Sequence, residues 1–248
     1  MKINQYLDAT YLKTAAQANI SEMNNQQKVL NLVDEAILYN YKLIMIRAKY
    51  VSVVKKIFSK SNSVVLIGTV IDFPEGNSST ENKLKEAKKA IFLEVDELDF
   101  VINYKAFQQG EINLIKEEVL ACTKLCLNHN KVVKFIIEVA ALSTAEIIVI
   151  SQLIKEVVLT NFDETVAKKV FVKSSTGFFK TLNNKPNGAT LETMKLISEN
   201  AKPLQIKAAG GIRDYGTALK MISLGVDRIG TSSAKEICTQ HESNNAEY

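Results

Sequence analysis

The sequence predicts an α/β fold with a parallel sheet, which is either closed into a (β/α)₈ TIM barrel or open and doubly wound. Short apolar runs rich in β-branched residues alternate along the chain with longer segments of helical period. Alternating strands and helices fold as right-handed crossovers, which make the strands parallel. The chain has 248 residues, a length at which one α/β barrel commonly forms a single domain.

Seven apolar runs are predicted to be strands, and a shorter run near the start of the chain could supply an eighth. An eighth strand, at residues 5–10, would allow the sheet to close, whereas seven strands also suit an open sheet. The seven clear runs are residues 43–47, 64–73, 97–103, 134–139, 170–174, 204–208 and 228–230.

The segments between these runs are predicted to be amphipathic helices, because apolar residues recur in them three and four positions apart. The clearest cover residues 83–90, 112–127, 144–158 and 191–201. Ser-x-x-Glu spacing, which is typical of a capping box, marks three helix starts. The three pairs are Ser78 with Glu81, Ser143 with Glu146, and Ser233 with Glu236.

Composition excludes several classes of protein. Apolar residues make up 46% and charged residues 23% of the chain, which excludes a disordered or fibrous protein. The net charge of +4 is too small and too scattered to indicate a nucleic-acid partner. No run approaches the roughly 18 apolar residues of a membrane helix, and the first residues lack a secretory apolar core. We therefore expect a cytoplasmic protein with neither a membrane nor a nucleic-acid partner.

Cysteine and histidine provide little for a metal site. Cys122 and Cys126 lie four residues apart in a helical pattern without a second cysteine pair, so we expect them to be packed in the interior. The two histidines, His129 and His241, both stand among polar residues. No linker or charge block divides the chain, so we expect residues 1–248 to form one domain with a mobile tail from about 239 to 248.

Glycines are concentrated in the loops after the last predicted strands. Seven of the 10 glycines lie between Gly177 and Gly230. Glycine exposes backbone N–H groups, and the loops after the last strands of a barrel commonly bind phosphate. Tight turns are the alternative explanation for any one of these loops. For three consecutive loops we favour a phosphate site.

Two lysines, Lys173 and Lys207, stand at the ends of neighbouring apolar strands, each just before a glycine-containing loop. Parallel strands would present both amines at the same rim of the sheet. Either lysine alone could simply extend its ammonium into solvent. Because the two occupy equivalent positions beside predicted phosphate loops, we favour a functional pair.

The physical chemistry of a lysine pair suits Schiff-base formation. A lysine with a pKa near 10.4 is only about 0.04% neutral at pH 7, and only the neutral amine attacks a carbonyl. Lowering the pKa to about 7 requires about 4.6 kcal/mol. A second ammonium about 6 Å away, at an effective dielectric constant of about 20, would supply about 2.8 kcal/mol. We expect burial to supply the remainder.

Three acidic residues are candidates for proton transfer. Asp99 stands inside an otherwise apolar predicted strand, where an unpaired charge is costly, so it needs either a lysine partner or a catalytic task. Asp8 is a similar but weaker candidate, because an aspartate so near the start of the chain is often only a turn residue. Glu138 is expected to end another strand, where it could pair with a lysine.

The residues 173–177 (Lys-Ser-Ser-Thr-Gly), 207–213 (Lys-x-x-Gly-Gly-x-Arg) and 230–233 (Gly-x-Ser-Ser) together resemble the deoxyribose-phosphate aldolase family. Further matching segments occur in family order, among them Leu-Asp-x-Thr at 7–10, Phe-Pro-x-Gly at 73–76 and residues 97–103. The resemblance covers about residues 5 to 248. It implies a single (β/α)₈ TIM barrel and a class I aldolase, which requires no cofactor and no metal because an iminium serves as the electron sink.

The resemblance also implies a role for each matching residue. Lys173 would form the Schiff base, Lys207 would lower its pKa and exchange protons, and Asp99 would act as general acid and base. Asp8 would assist the proton relay, and Tyr248 at the end of the tail would help proton transfer. The phosphate group would be bound by Thr176, Gly177, Gly210, Gly211, Arg213, Gly230, Ser232 and Ser233.

We therefore expect an enzyme that reversibly cleaves 2-deoxy-D-ribose 5-phosphate to D-glyceraldehyde 3-phosphate and acetaldehyde. The alternatives are a Schiff-base aldolase for a different phosphorylated sugar and a non-catalytic phosphate-binding barrel. Ala9, Arg47 and Asp72 depart from the residues usual in the family and could alter substrate preference. The expected partners are small molecules, and a homodimer is the assembly that we expect, although no residue pattern specifies it.

Overall fold

In the computed structural model, which describes residues 2–182 and 185–239, eight parallel strands close into a barrel. Each strand pairs with the next along the chain, and the first pairs with the last. The sheet is therefore closed rather than open, as the family resemblance implied. The strands are β1 (Leu7–Tyr11), β2 (Leu43–Ile46), β3 (Leu66–Ile71), β4 (Glu97–Val101), β5 (Val132–Ile136), β6 (Val170–Lys173), β7 (Gln205–Ala209) and β8 (Arg228–Thr231).

Helices fill the connections between the strands and surround the barrel. The longest, such as α2 and α7, bury apolar residues against the outer face of the sheet. The described helices are α1 (Ala15–Ala18), α2 (Glu22–Tyr39), α3 (Val51–Ser61), α4 (Thr80–Phe92), α5 (Tyr104–Gln108), α6 (Ile112–Asn128), α7 (Thr144–Asn161), α8 (Leu191–Ala201), α9 (Tyr215–Ser223) and α10 (Ala234–Thr239).

The seven predicted strands are present, the run near the start of the chain supplies the eighth, and the strand ends differ from the predicted ones by at most three residues. The largest difference is at β5, which was expected to extend to residue 139 but ends at Ile136. Glu138 therefore does not end a strand. It adopts a left-handed backbone conformation (φ 57°) before a short 3₁₀ turn over Val139–Ala141. The predicted strand was too long because the apolar sequence continues past the residue at which the chain turns.

One of the predicted capping boxes is confirmed and one is wrong. Ser143 caps α7, and the side chain of Glu146 accepts a hydrogen bond from the Ser143 backbone in return. At α4 the cap is Ser79, whose hydroxyl accepts from Asn82 N. Ser78 instead donates its backbone N–H and hydroxyl to Asp72, because the loop before α4 folds back onto that carboxylate. Helix α10 begins directly after Ser233.

Side chains alternate between the inside and the outside of the barrel along each strand, as strand geometry requires. In β2, Ile44 and Ile46 belong to the main core between the sheet and the helices. Leu43 and Met45 belong to a separate, smaller cluster with Leu12 and Val70, which fills part of the barrel interior. The remaining interior positions are largely polar, and they form the site described below.

Cys122 and Cys126 on α6 are fully buried, as expected. Burial raises the pKa of the Cys126 thiol to about 12, so it stays protonated and serves as packing. Within the described residues, no helix is both long and apolar enough to cross a membrane. The predicted tail lies outside the described residues from position 240 onward, and Tyr248 and His241 lie there with it.

Candidate active site

A cavity of about 280 Å³ opens at the carboxyl ends of the strands, which is where barrels carry their functional residues. Lys173, at the last position of β6, lines it. The loops after β1, β6, β7 and β8 form the rest of the wall. This arrangement places the amine of a strand-end lysine in a cavity formed by strand ends and the loops that follow them.

Lys173 and Lys207 are paired directly across neighbouring strands in the barrel register. The carboxylate of Asp99 joins them, because Lys173 Nζ and Lys207 Nζ both donate to Asp99 Oδ2 at 2.9 Å. All three side chains are buried. The structure therefore brings together the two lysines and the aspartate that the sequence singled out. The alternative in which each lysine extends into solvent does not describe this site.

Asp8 on β1 completes this arrangement from the other side. Its Oδ2 atom lies 2.6 Å from Lys207 Nζ. Lys207 is thus held between two carboxylates, Asp8 and Asp99, whereas among the described carboxylates Lys173 forms an ion pair with Asp99 alone. Position within the barrel thus distinguishes the two lysines: Lys207 is enclosed by carboxylates, and Lys173 reaches the cavity.

Three further charged residues, which the sequence analysis did not identify, lie deeper in the barrel. Lys134 on β5 pairs with Glu97 and lies 3.2 Å from Asp99 Oδ1. Arg228 on β8 donates to Asp8 Oδ1 at 2.7 Å and to Glu97 Oε1 at 3.0 Å. The result is one continuous network of buried charges that runs from the cavity into the barrel.

The charges of this network balance only when one lysine is neutral. Its described members are three carboxylates, Asp8, Glu97 and Asp99, and four cations, Lys134, Lys173, Lys207 and Arg228. A surplus charge in a buried cluster is costly, and a buried group with a surplus charge tends to lose it. Lys173 has the fewest carboxylate neighbours of the four, which makes it the candidate for the neutral amine.

The pKa of Lys173 reflects this position. The pKa is lowered to about 8: burial is the largest cause, the attraction of Asp99 opposes it, and the neighbouring Lys207 adds to the lowering. We expected the second ammonium to be the larger cause, and this was wrong: burial outweighs it. With a pKa of about 8, roughly a tenth of the amine is neutral at pH 7, which is several hundred times the neutral fraction of an ordinary lysine.

The two aspartates are held in their ionised forms. Burial alone would raise the pKa of Asp99, but Lys134, Lys173 and Lys207 hold it well below its usual range. Burial acts on Asp8 in the same sense, and Arg228, Lys207 and Lys134 overcome it and lower the pKa to about 2. Both groups are therefore carboxylates at neutral pH and available as hydrogen-bond acceptors.

The residues predicted to bind phosphate all line the cavity: Thr176, Gly177, Gly210, Gly211, Arg213, Gly230, Ser232 and Ser233. Two loops approach closely here, since a Cβ atom added at Gly188 would lie 2.5 Å from Gly210 Cα. Gly210 itself has φ 89°, a conformation that favours glycine. Side chains at Gly188 and Gly210 would therefore separate the loops that form this wall.

Glu138 supports the same wall from behind. Thr176 N and Thr176 Oγ1 both donate to Glu138 Oε2, and Thr176 Oγ1 in turn accepts from Phe178 N. Burial raises the pKa of Glu138, and its bonds to Thr176 partly oppose that shift. Glu138 thus contacts the loop after Lys173 rather than either lysine, in contrast to the lysine pairing considered from the sequence.

Two residues that depart from the family pattern hold neighbouring loops. The guanidinium of Arg47 donates to the carbonyl oxygens of Leu12, at 2.9 Å, and Phe73, at 3.2 Å. The carboxylate of Asp72 accepts from Ser78 and lies 3.7 Å from Lys83 Nζ. Arg47 therefore fastens the loop after β1 to the loop after β3, and neither residue lines the cavity.

Alternation along the strands could have revealed the deeper charges. Glu97 lies two residues before Asp99 and therefore on the same face of β4. Lys134 lies directly opposite Asp99 in the register, and Arg228 lies opposite Lys207. Sequence reasoning placed these residues inside strands without asking which way they point.

Comparison with known proteins finds relatives over nearly the whole chain. A deoxyribose-phosphate aldolase from Mycoplasma capricolum is 36% identical over 243 residues, which cover 98% of this chain and 97% of that protein. Among solved structures, the aldolase QR15 is similar with a TM-score of 0.78 and 31% identity, covering 96% of this chain and 94% of that one. A tetrameric deoxyribose phosphate aldolase from Aeropyrum pernix has a TM-score of 0.76 and 26% identity, covering 96% of this chain and 89% of its own. No protein-family model matches the chain.

Proposed function

Because the chain belongs to the deoxyribose-phosphate aldolase family, we propose that it reversibly cleaves 2-deoxy-D-ribose 5-phosphate into D-glyceraldehyde 3-phosphate and acetaldehyde. It is thus a lyase that acts on a carbon–carbon bond. The observation that carries the proposal is the amine of Lys173, which is buried, lines the cavity and has a pKa of about 8. A neutral amine is what attack on an aldehyde requires.

Lys173 attacks C1 of the open-chain sugar and forms a carbinolamine, which loses water to give an iminium. Removal of the proton from the C3 hydroxyl then breaks the bond between C2 and C3. The electron pair of that bond moves into the iminium and leaves an enamine on Lys173, while D-glyceraldehyde 3-phosphate departs. Protonation of the enamine at C2 and hydrolysis by water release acetaldehyde and restore the amine.

Asp99 is the group best placed to serve the charged intermediates. It accepts from Lys173 Nζ at 2.9 Å, so the same carboxylate would face the positive charge of the iminium. In our proposal Asp99 takes up and returns protons through a water molecule. Lys207, which is hydrogen-bonded to the same oxygen and in contact with Asp8, supplies the proton that Asp99 exchanges.

The loops after β6, β7 and β8 would bind the phosphate group of the substrate. Gly177, Gly210 and Gly230 contribute backbone to the cavity wall, and Arg213 contributes a cation. Ser232 and Ser233 lie just before the start of α10, in the same wall. Backbone N–H groups together with a guanidinium suit a phosphate dianion.

The decisive experiment is to trap the Schiff base. Borohydride reduction in the presence of acetaldehyde should attach the two-carbon fragment to Lys173, located by peptide mapping. Lys173→Ala should abolish both trapping and turnover, because no other residue in our proposal supplies the nucleophile. Lys180→Ala, on the exposed part of the loop after β6, is the matched control and should keep both.

Each alternative has its own outcome in this experiment. Label on Lys207 would reverse the two lysine assignments, and absence of any label would favour a non-catalytic phosphate-binding barrel. Label on Lys173 without cleavage of 2-deoxy-D-ribose 5-phosphate would indicate a Schiff-base aldolase for another phosphorylated sugar. Substrate profiling would then identify that sugar.

The remaining parts of the proposal concern assembly and location. The partners are the small-molecule sugar phosphate and acetaldehyde. A homodimer stays a prediction, and the Aeropyrum pernix relative, a tetramer, offers a second possibility that light scattering would distinguish. A cytoplasmic location, the single domain over residues 1–248 and a role for Tyr248 also stay predictions.

A further inference from the structure

Closure of the barrel brings the loop after the first strand to the phosphate wall formed by the last strands. In the register of β1 with β8, Ala9 lies opposite Thr231. Lys13 follows four residues after Ala9, and Ser233 follows two residues after Thr231. Both residues line the same cavity as Lys173. The segment 10–13 thus adds a cation to a wall whose other lining residues come from the last third of the chain.

The backbone that carries Lys13 is held by buried hydrogen bonds. Asn25 on α2 is fully buried, and its side-chain amide donates to the carbonyl oxygen of Lys13 at 3.2 Å and to Tyr50 Oη at 2.9 Å. Tyr11 Oη donates to Asn25 Oδ1 at 2.7 Å. Arg47 holds the preceding carbonyl, that of Leu12. These hydrogen bonds hold the backbone carbonyl groups of the loop. The half-buried Lys13 residue lines the cavity.

Charge at the cavity wall is limited. The charged residues among the described lining residues are Lys13, Lys173, Arg213 and Glu236. Lys173 has to be neutral to react, and the carboxylate of Glu236 opposes an anion. Arg213 alone would then face a phosphate ester that carries a charge of about −1.5 to −2 at pH 7. Lys13 adds a second positive charge to the wall, which brings its charge closer to that needed to neutralise the phosphate ester.

We propose that Lys13 binds the phosphate group of the sugar together with Arg213 and so determines the preference of the enzyme for phosphorylated substrates. The inference rests on the proposed function. It assigns a specificity-determining residue in the loop after β1, outside the glycine-rich loops from which the phosphate site was first predicted. A charge-assisted hydrogen bond of this kind is worth about 10- to 150-fold in specificity.

The test compares two substrates across three variants. Lys13→Gln should lower kcat/KM for 2-deoxyribose 5-phosphate by about 10- to 150-fold, mostly through KM, and change kcat/KM for unphosphorylated 2-deoxyribose less than about twofold. Lys13→Arg keeps the charge and should recover most of the loss. Lys180→Gln removes an exposed lysine from a neighbouring loop and should leave both substrates unaffected.

A second measurement uses inorganic phosphate as the probe. Competitive inhibition of 2-deoxyribose cleavage by phosphate should weaken in Lys13→Gln by a similar factor and remain in Lys13→Arg. An equal loss on both sugars would overturn the inference, because Lys13 would then act on the loop rather than on the phosphate. Unchanged constants would overturn it as well.

The same data separate this inference from the proposed function. If the unaltered enzyme cleaved neither sugar, the proposed function would fail before Lys13 was considered. If it cleaved the phosphorylated sugar with a clear preference that Lys13→Gln retained, the function would stand and the inference about Lys13 would fail.

Discussion

The interior of the barrel has two unlike regions, one charged and one apolar. Strands β4 to β8 and β1 contribute a network of carboxylates, lysines and an arginine. Strands β2 and β3 contribute Leu43, Met45 and Val70, joined by Leu12 and packed against Phe73 and Phe178. Gly68 leaves room for this cluster, since a Cβ atom added there would lie 2.6 Å from Met45 Cε. The two regions meet at the cavity, which Lys173, Leu12 and Phe178 all line.

The difference shows how the surroundings of one buried lysine differ from those of its neighbours. Lys207 and Lys134 each contact carboxylates of the network. Among the described carboxylates Lys173 contacts Asp99, it lines the cavity, and burial is the largest cause of its lowered pKa. The reactive amine therefore belongs to the charged region but lies where that region opens to the cavity.

The largest effect should come from breaking the charged region at Asp99. Asp99→Asn keeps the shape but removes the carboxylate charge shared by Lys173 and Lys207, and with it the base, and it should slow cleavage by about 10²- to 10⁴-fold. The measurement is kcat at saturating sugar phosphate, with borohydride trapping in parallel. Some trapping should survive, because the nucleophile is still present.

Glu97→Gln is the matched control for Asp99→Asn. It removes one carboxylate from the same network, but Glu97 contacts Lys134 and Arg228 rather than Lys173. We expect it to lower the free energy of unfolding while reducing kcat less than about tenfold. If the two variants lost activity equally, Asp99 would be only a structural partner, and Asp8 would become the candidate base.

A smaller effect on activity is expected from Lys207→Leu, which changes the charges around Lys173. Loss of this ammonium removes a repulsion from Lys173 and leaves Asp99 to attract it more strongly, so both changes raise the pKa of Lys173 from about 8. Because the neutral amine reacts, the acid limb of the kcat/KM profile should move to higher pH. We expect a shift of about one to two units, which is at most the contribution of a charge about 6 Å away.

Lys134→Met is the comparison variant for Lys207→Leu. Lys134 also lies near Asp99 but influences the pKa of Lys173 less than Lys207 does. Its removal should move the profile in the same direction by a smaller amount. An unmoved profile in Lys207→Leu would show that Lys207 does not tune Lys173.

The smallest effect on activity should come from the apolar region. Met45 is fully buried, and Met45→Ala should lower the free energy of unfolding by about 2–5 kcal/mol because a cavity is left inside the barrel. Met45 belongs to the apolar cluster rather than to the charged network, so kcat should change only a few-fold. Urea unfolding and kcat measured on the same preparation test this. A loss of kcat comparable to that of Asp99→Asn would show that the two regions are not separable.

Much of this organisation is predictable from the sequence because it follows strand periodicity. Apolar β-branched runs located all eight strands, and charged residues within or ending them identified Lys173, Lys207 and Asp99. Lys134, Glu97 and Arg228 were missed, although the same alternation places each on an inner face. These residues could have been found by asking which charges share a face with Asp99.

Other features depend on three-dimensional closure and could not be predicted from local pattern. Lys13 reaches the cavity only because β1 pairs with β8. The end of β5 was misplaced because Ile136 and Ile137 continue an apolar run, and nothing in the sequence shows that Glu138 takes a left-handed conformation. The relative weight of burial and of Lys207 on the pKa of Lys173 likewise depends on how water is excluded.

The bond between Arg228 and Asp8 spans 220 positions of the chain. During synthesis the amino-terminal strand is therefore made long before the guanidinium that neutralises its carboxylate. Until the eighth strand arrives, the open sheet also presents two unpaired edges, which favour association with other chains. Long-range pairing of this kind slows folding, since a large loop must close before the contact is gained. The bond that completes the reactive centre is thus among the last that a growing chain can form, and a fragment released before strand β8 lacks it altogether.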